Sequence, residues 1–211
     1  MKDKDHKQNY TLKVNQSFGV CGFASALASL YEQSEKVYNK MNMIQKGHFQ
    51  TCFIPEFSNY LEKLNLGNKI LLTEIRLFTN TFNDEFTFAS NRQLLQCTQE
   101  YACIVAEQKP LGEYRKLGVA MPPAAVKDYL SRIYKIDTIE VHENKNIICG
   151  LSDGEDNPLD EIHLFDGLKQ WVYIDERERV FYRGECYQLF EDFSKKHKPL
   201  DQVIWRIRPV L

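Results

Sequence analysis

Near residue 136 the spacing of apolar residues changes period, and that change limits the folds open to this chain more than any other feature. Up to Ile133 the apolar residues recur at intervals of three, four and seven, which is helical spacing. From Ile136 onward they come as short runs rich in Ile, Val, Tyr and Trp: 136–141, 147–151, 162–165, 171–174, 180–182 and 203–207. Such runs predict strands. The expected class is therefore α+β, a helical half over 20–135 packed on an antiparallel sheet over 136–211. The polar residues 1–13 are expected to be a disordered N-terminal arm, leaving 14–211 as a single domain.

Within the helical half, Phe23, Leu27, Leu30, Val37, Tyr38 and Met41 predict a long amphipathic helix that opens at Cys21, with Gly47 just beyond its end. A second helix is expected from Pro55 to Gly67, and a third behind a Ser90 or Asn91 cap, ending near Pro110. A fourth starts at Pro122 and Pro123 and carries Val126, Tyr129, Leu130 and Ile133. Residues 69–88 satisfy either period. A short helix over 187–194 and an acidic loop over 153–161 punctuate the sheet half.

Composition narrows the function classes. Apolar residues make up 43% of the 211, too many for a disordered chain. The 27 basic and 29 acidic residues give a net charge of −2, so no bulk attraction draws the chain to nucleic acid or an anionic membrane. No apolar run approaches the roughly 20 residues of a membrane span, and the first residues lack the apolar core of a secretory signal. The six cysteines form no C-x-x-C pair, which excludes a zinc ribbon and predicts thiols, mostly buried, in a reducing compartment such as the cytoplasm. His48 and Cys52 bring no second ligand pair, the acidic loop lacks EF-hand spacing, and no phosphate-cradling G-x-x-x-x-G-K occurs. Neither a metal nor a cofactor is implied.

One cysteine is placed differently from the rest. In Asn15-Gln16-Ser17-Phe18-Gly19-Val20-Cys21-Gly22, Cys21 falls at the first turn of a helix, where unpaired N–H groups and the positive dipole end stabilise a thiolate. Small residues around it would let a substrate backbone approach. Gln16 is close enough for its amide to donate, beside the Cys21 N–H, to a developing oxyanion. A Gln, a short gap and Cys-Gly opening a long helix resembles the active-site entry of papain-like cysteine peptidases in the broad sense, including the C39-type and phytochelatin-synthase-type bacterial branches. The resemblance covers about a dozen residues. The Gln-to-Cys interval here is one residue shorter than in those branches, and the residue after Cys-Gly is Phe23.

A cysteine nucleophile needs an imidazole and a group to orient it. His6 lies in the arm, and His197 lies in Lys195-Lys196-His197-Lys198, which reads as a solvated surface. His48 is at the far end of the nucleophile helix, about 30 Å from its start. Of His142 and His163, only His163 has an acidic residue, Asp175, at the end of the following strand. If 168–170 form a three-residue hairpin loop, His163 faces Asp175 across the pair, and both lie on one sheet face. A tighter turn at Asp166 and Gly167 is the competing register and would displace Asp175. The order Cys, His, Asp also fits the resemblance.

The function expected is a thiol-dependent acyl-transfer enzyme of papain-like fold, a cysteine protease or isopeptidase acting on a protein or peptide. Cys21 is the nucleophile, His163 the base, Asp175 the ring orienter and Gln16 the oxyanion donor. Compact size and the absence of a cleavable leader would also suit a translocated bacterial effector. The alternative is a noncatalytic α+β module of the same architecture that binds a peptide or protein without cleaving it.

Overall fold

The computed structural model describes residues 20–30, 49–82, 87–110, 112, 117–155, 165, 167–182, 185–198 and 200–210. Gln16, His163, the arm over 1–13 and the remainder of the expected long helix after Leu30 lie outside these residues.

Helix α1 (Cys21–Leu30) opens where the Cys-Gly signal places it. It is not amphipathic over this span, because every residue from Gly22 to Leu30 is buried. Its two serines are buried as well, and Ser29 resolves its hydroxyl by donating to the Ala26 carbonyl at 2.7 Å. Helix α2 (Phe49–Gly67) ends at Gly67 as expected but begins six residues before Pro55, which sits inside it. Pro55 removes one backbone hydrogen bond. The buried face of Phe53, Ile54, Phe57, Tyr60, Leu61 and Leu64 offsets that loss.

The ambiguous stretch resolves as helix α3 (Lys69–Asn80), capped by the Asn68 side chain, which accepts from the Leu71 N–H at 3.2 Å. Its buried residues, Leu71, Leu72, Ile75, Phe78 and Thr79, follow helical spacing. Helix α4 (Asn91–Ala106) takes Ser90 as its N-cap. Helix α5 (Pro123–Tyr129) runs into one π-helical turn, Leu130–Tyr134, closed by Lys135 in the left-handed region.

The sheet comprises β1 (Asp137–Glu140), β2 (Ile147–Ser152), β3 (Leu168–Ile174), β4 (Val180–Tyr182), β5 (Glu185–Tyr187) and β6 (Gln202–Val210), with helix α6 (Phe190–Lys196) before β6. All pairings are antiparallel, in the order β1-β6-β2-β3-β4-β5. Strands β2, β3 and β4 are buried on both faces. Ile148, Trp171, Tyr173, Phe181 and Ile207 join the helices in one core, while Ile147, Cys149, Leu151, Val172, Ile174 and Tyr182 pack with Phe193 of α6 in a second. Strand β5 was not expected from its short polar sequence.

The hairpin anticipated at 168–170 is corrected. Those residues begin β3, and the chain turns earlier, where the Leu168 N–H donates to the Phe165 carbonyl at 2.9 Å with Gly167 at φ +70°. The turn falls at the position of the tighter alternative. The pairing that set Asp175 opposite His163 therefore loses its basis, and β3 pairs instead with β2 and β4.

Candidate active site

Trp171 fixes the start of α1 against the sheet. Its indole N–H donates to the Met121 carbonyl at 2.8 Å in a buried position. A Cβ on Gly22 would come within 2.8 Å of Met121 Cβ and 3.2 Å of the Trp171 ring. On the other side of the ring, a Cβ on Gly150 would come within 3.1 Å of Trp171 and 2.9 Å of Trp205 Cβ. Each glycine is thus required by close approach to a tryptophan. Gly22 was expected to admit a substrate, but the protein itself fills that space.

Beside this packed junction lies a cavity of about 220 Å³ lined by Cys21, Phe78, Thr79, Val119, Leu168 and Trp171, among others. Cys21 is half-buried, while its neighbours Val20 and Gly22 are buried, so the thiol is the point at which the helix start meets the cavity. The Ala24 N–H donates to the Val20 carbonyl at 3.0 Å and closes the first turn, so the backbone N–H groups of Cys21, Gly22 and Phe23 lie at the N-terminal, positive end of the helix. Those groups and the helix dipole favour negative charge on sulfur.

The far wall is an extended segment held by Thr79, whose hydroxyl oxygen accepts from the Ala120 N–H at 3.0 Å. Phe82, 42% exposed, stands at the mouth, and Lys169 and Gln170 of β3 form the polar edge. Phe78, Thr79, Phe82 and Lys169 were not identified from sequence. The first three fall in the stretch that satisfied both periods, and Lys169 was read as loop.

Asp175 ends β3 as expected, but away from this cavity. It lies four residues beyond Trp171, which is about 13 Å of strand. Its carboxylate is buried and accepts from the backbone N–H groups of Arg177 and Arg179, both at 2.9 Å, and from the Arg179 guanidinium at 2.8 and 2.5 Å. Backbone bonds from Asp175 N to Arg179 O and from Glu178 N to Asp175 O close the same turn, with Glu178 at φ +63°. These bonds make Asp175 the organiser of the β3–β4 hairpin. The described structure brings Cys21 and the cavity together and leaves Asp175 at the opposite end of the strand.

Of the other histidines, His142 is exposed. His197 is not on a solvated surface as expected. It is half-buried against the rings of Tyr182, Tyr187 and Phe193, with Nε2 2.6 Å from the Tyr187 hydroxyl. Nor are most of the described cysteines buried. Cys149 is, and burial pushes its pKa up to about 12, whereas Cys103 is exposed and Cys21, Cys97 and Cys186 are intermediate. Among the described residues no cluster of three His, Cys, Asp or Glu is placed to hold a metal, and no helix is long and apolar enough to cross a membrane. Comparison with protein-family models, curated proteins and solved structures finds no match to this chain.

Proposed function

We propose that the chain is a thiol-dependent acyl-transfer enzyme of papain-like kind acting on a protein or peptide. The observation that carries this reading is the position of Cys21, half-exposed at the first turn of an otherwise buried helix and lining a cavity. The buried helix gives the thiol a rigid mount, which catalysis needs for a fixed line of attack.

The Cys21 sulfur attacks the carbonyl carbon, a C–S bond forms, and the electron pair of the carbonyl moves to oxygen. Collapse breaks the bond to the leaving amine, which takes the proton that His163 had removed from the thiol. Water or a second amine then displaces the sulfur. Gln16 and the Cys21 N–H are the donors to the oxyanion. Asp175 contributes by closing the hairpin after β3, because its carboxylate already serves four donors.

The test uses p-nitrophenyl acetate as the acyl donor. The expected result is a stoichiometric burst of p-nitrophenolate, an acetyl adduct mapped to Cys21, and loss of both in Cys21→Ala. The apolar cavity by itself also suits the alternative, a peptide binder without turnover. A slow, burst-free release spread over several cysteines would favour that alternative.

A further inference from the structure

The cavity beside Cys21 carries a positive charge that the acyl chemistry does not use. Lys169 lines it, with a side chain only 22% exposed. Its ammonium stands 3.8 Å from the Asp153 carboxylate, outside the roughly 2.7–2.9 Å of a charge-assisted hydrogen bond. Its side chain is largely covered, and among the described residues its ion pair with Asp153 is too long to be a hydrogen bond. A substrate carboxylate at the cavity edge would give the ammonium a charge-assisted hydrogen bond.

The rest of the cavity asks for something apolar. Phe78, Val119, Leu168 and Trp171 supply its larger apolar side chains, and Phe82 adds an exposed aromatic ring. Its volume of about 220 Å³ exceeds the roughly 150 Å³ of an apolar cavity that takes up a benzene ring. One aromatic or branched aliphatic side chain is therefore an appropriate filling, and a longer group would project past Phe82.

Building on the acyl-transfer reading, we infer that the substrate is a peptide in which an aromatic or branched aliphatic residue neighbours an acidic one. The apolar side chain enters the cavity and the carboxylate meets Lys169. Specificity then comes from the combination, since an apolar group alone leaves Lys169 unmatched and a carboxylate alone leaves the cavity unfilled.

The experiment measures protection of Cys21 from iodoacetamide on the full chain, using N-acetyl-Phe-Asp amide, its Phe-Asn counterpart and its Gly-Asp counterpart. The Phe-Asp peptide should half-protect Cys21 at a concentration about tenfold lower than Phe-Asn, the ratio expected from one charge-assisted hydrogen bond. Gly-Asp should not protect over the same range. In Lys169→Met the ratio between the Phe-Asp and Phe-Asn concentrations should fall to about one. Asp153→Asn, which removes the competing carboxylate, should move Phe-Asp the other way.

Equal protection by Phe-Asp and Phe-Asn on the wild-type chain would overturn the inference, as would a tenfold preference that survives in Lys169→Met. No protection by any peptide up to its solubility limit would also overturn it, and would leave the acyl burst, read separately with p-nitrophenyl acetate, to stand. Protection without a burst would instead sink the acyl reading and keep the binding site.

Discussion

The two ends of strand β3 carry opposite kinds of polar group. At 175–179 every oxygen of the Asp175 carboxylate is engaged, by two backbone amides and by the Arg179 guanidinium. At 168–171 the strand borders a cavity in which Cys21 is half-exposed and Lys169 has its acidic neighbour at 3.8 Å. A closed network holds a turn in one geometry and has little capacity left for a substrate. Polar groups that border a cavity are where a ligand finds partners. Asp175 is engaged in the hairpin at one end of the strand, and Cys21 borders the cavity at the other.

The largest effect expected from breaking the comparison is at the cavity end. Cys21→Ala should lower the p-nitrophenolate burst by at least about a thousandfold, because no other group replaces a covalent nucleophile. Its stability, read by urea unfolding, should stay within about 1 kcal/mol of wild type, since a small half-buried side chain is exchanged for another.

The hairpin end should behave in the reverse way. Asp175→Asn keeps an oxygen for the backbone amides and leaves the Arg179 charge without its carboxylate, which should cost about 3 kcal/mol of stability. Acylation of Cys21, corrected for the folded fraction, should be unchanged. A stable Asp175→Asn chain that had lost its burst would return Asp175 to the role of ring orienter.

The junction between the ends sharpens the account further. Gly22→Ala forces a methyl to within 2.8 Å of Met121 Cβ, and overpacking of this kind costs about 2 kcal/mol. The displaced Trp171 should show as a shifted emission maximum, and the Cys21 labelling rate should change with it. A Gly22→Ala chain of native stability, emission and labelling rate would mean that the Met121–Trp171 contact does not position the helix start.

The smallest effect concerns Cys149, on the second core of the same sheet. Burial raises its pKa from an ordinary 9.0 to about 12, so the folded chain holds a proton that the unfolded chain releases above pH 9. This contribution to stability is complete below that pH and is lost as pH climbs toward 12. At about pH 10 the wild type should have lost on the order of 1 kcal/mol relative to Cys149→Ala, compared with the same pair at neutral pH. Parallel pH profiles for the two chains would contradict the assignment.

The helical half was legible largely because its boundaries are chemical. Cys-Gly, Ser90 and Pro123 all mark helix starts, and Gly67 marks an end. Pro55 misled, since proline signals a helix start only when tertiary burial does not carry the helix through it. The strands over 147–151 and 180–182 were equally plain from their β-branched and aromatic runs.

What sequence could not rank was two hairpin registers differing by a few residues. Lys169 and Gln170 look like loop residues, yet they sit on a strand bordering a cavity, where one polar and one apolar side are both satisfied. The identity of the neighbours of Trp171 was likewise hidden, because Gly22, Met121 and Gly150 are far apart in the chain. Cys21 was found because a helix start leaves a local signature, whereas a cavity wall assembled from α3, an extended segment and β3 leaves none.

The central claim is that Cys21 differs from the other thiols in reactivity because of where it sits, and site-resolved alkylation tests it most directly. Iodoacetamide is applied at mildly acidic pH and each cysteine is followed separately by peptide mass spectrometry. Cys103 serves as the exposed reference and Cys149 as the buried one. The account predicts that Cys21 labels first, about tenfold or more ahead of Cys103 despite being less exposed, because the helix start stabilises its thiolate. It predicts no labelling of Cys149 in the folded chain. Labelling of Cys103 ahead of Cys21, with Cys21 as slow as Cys149, would contradict it.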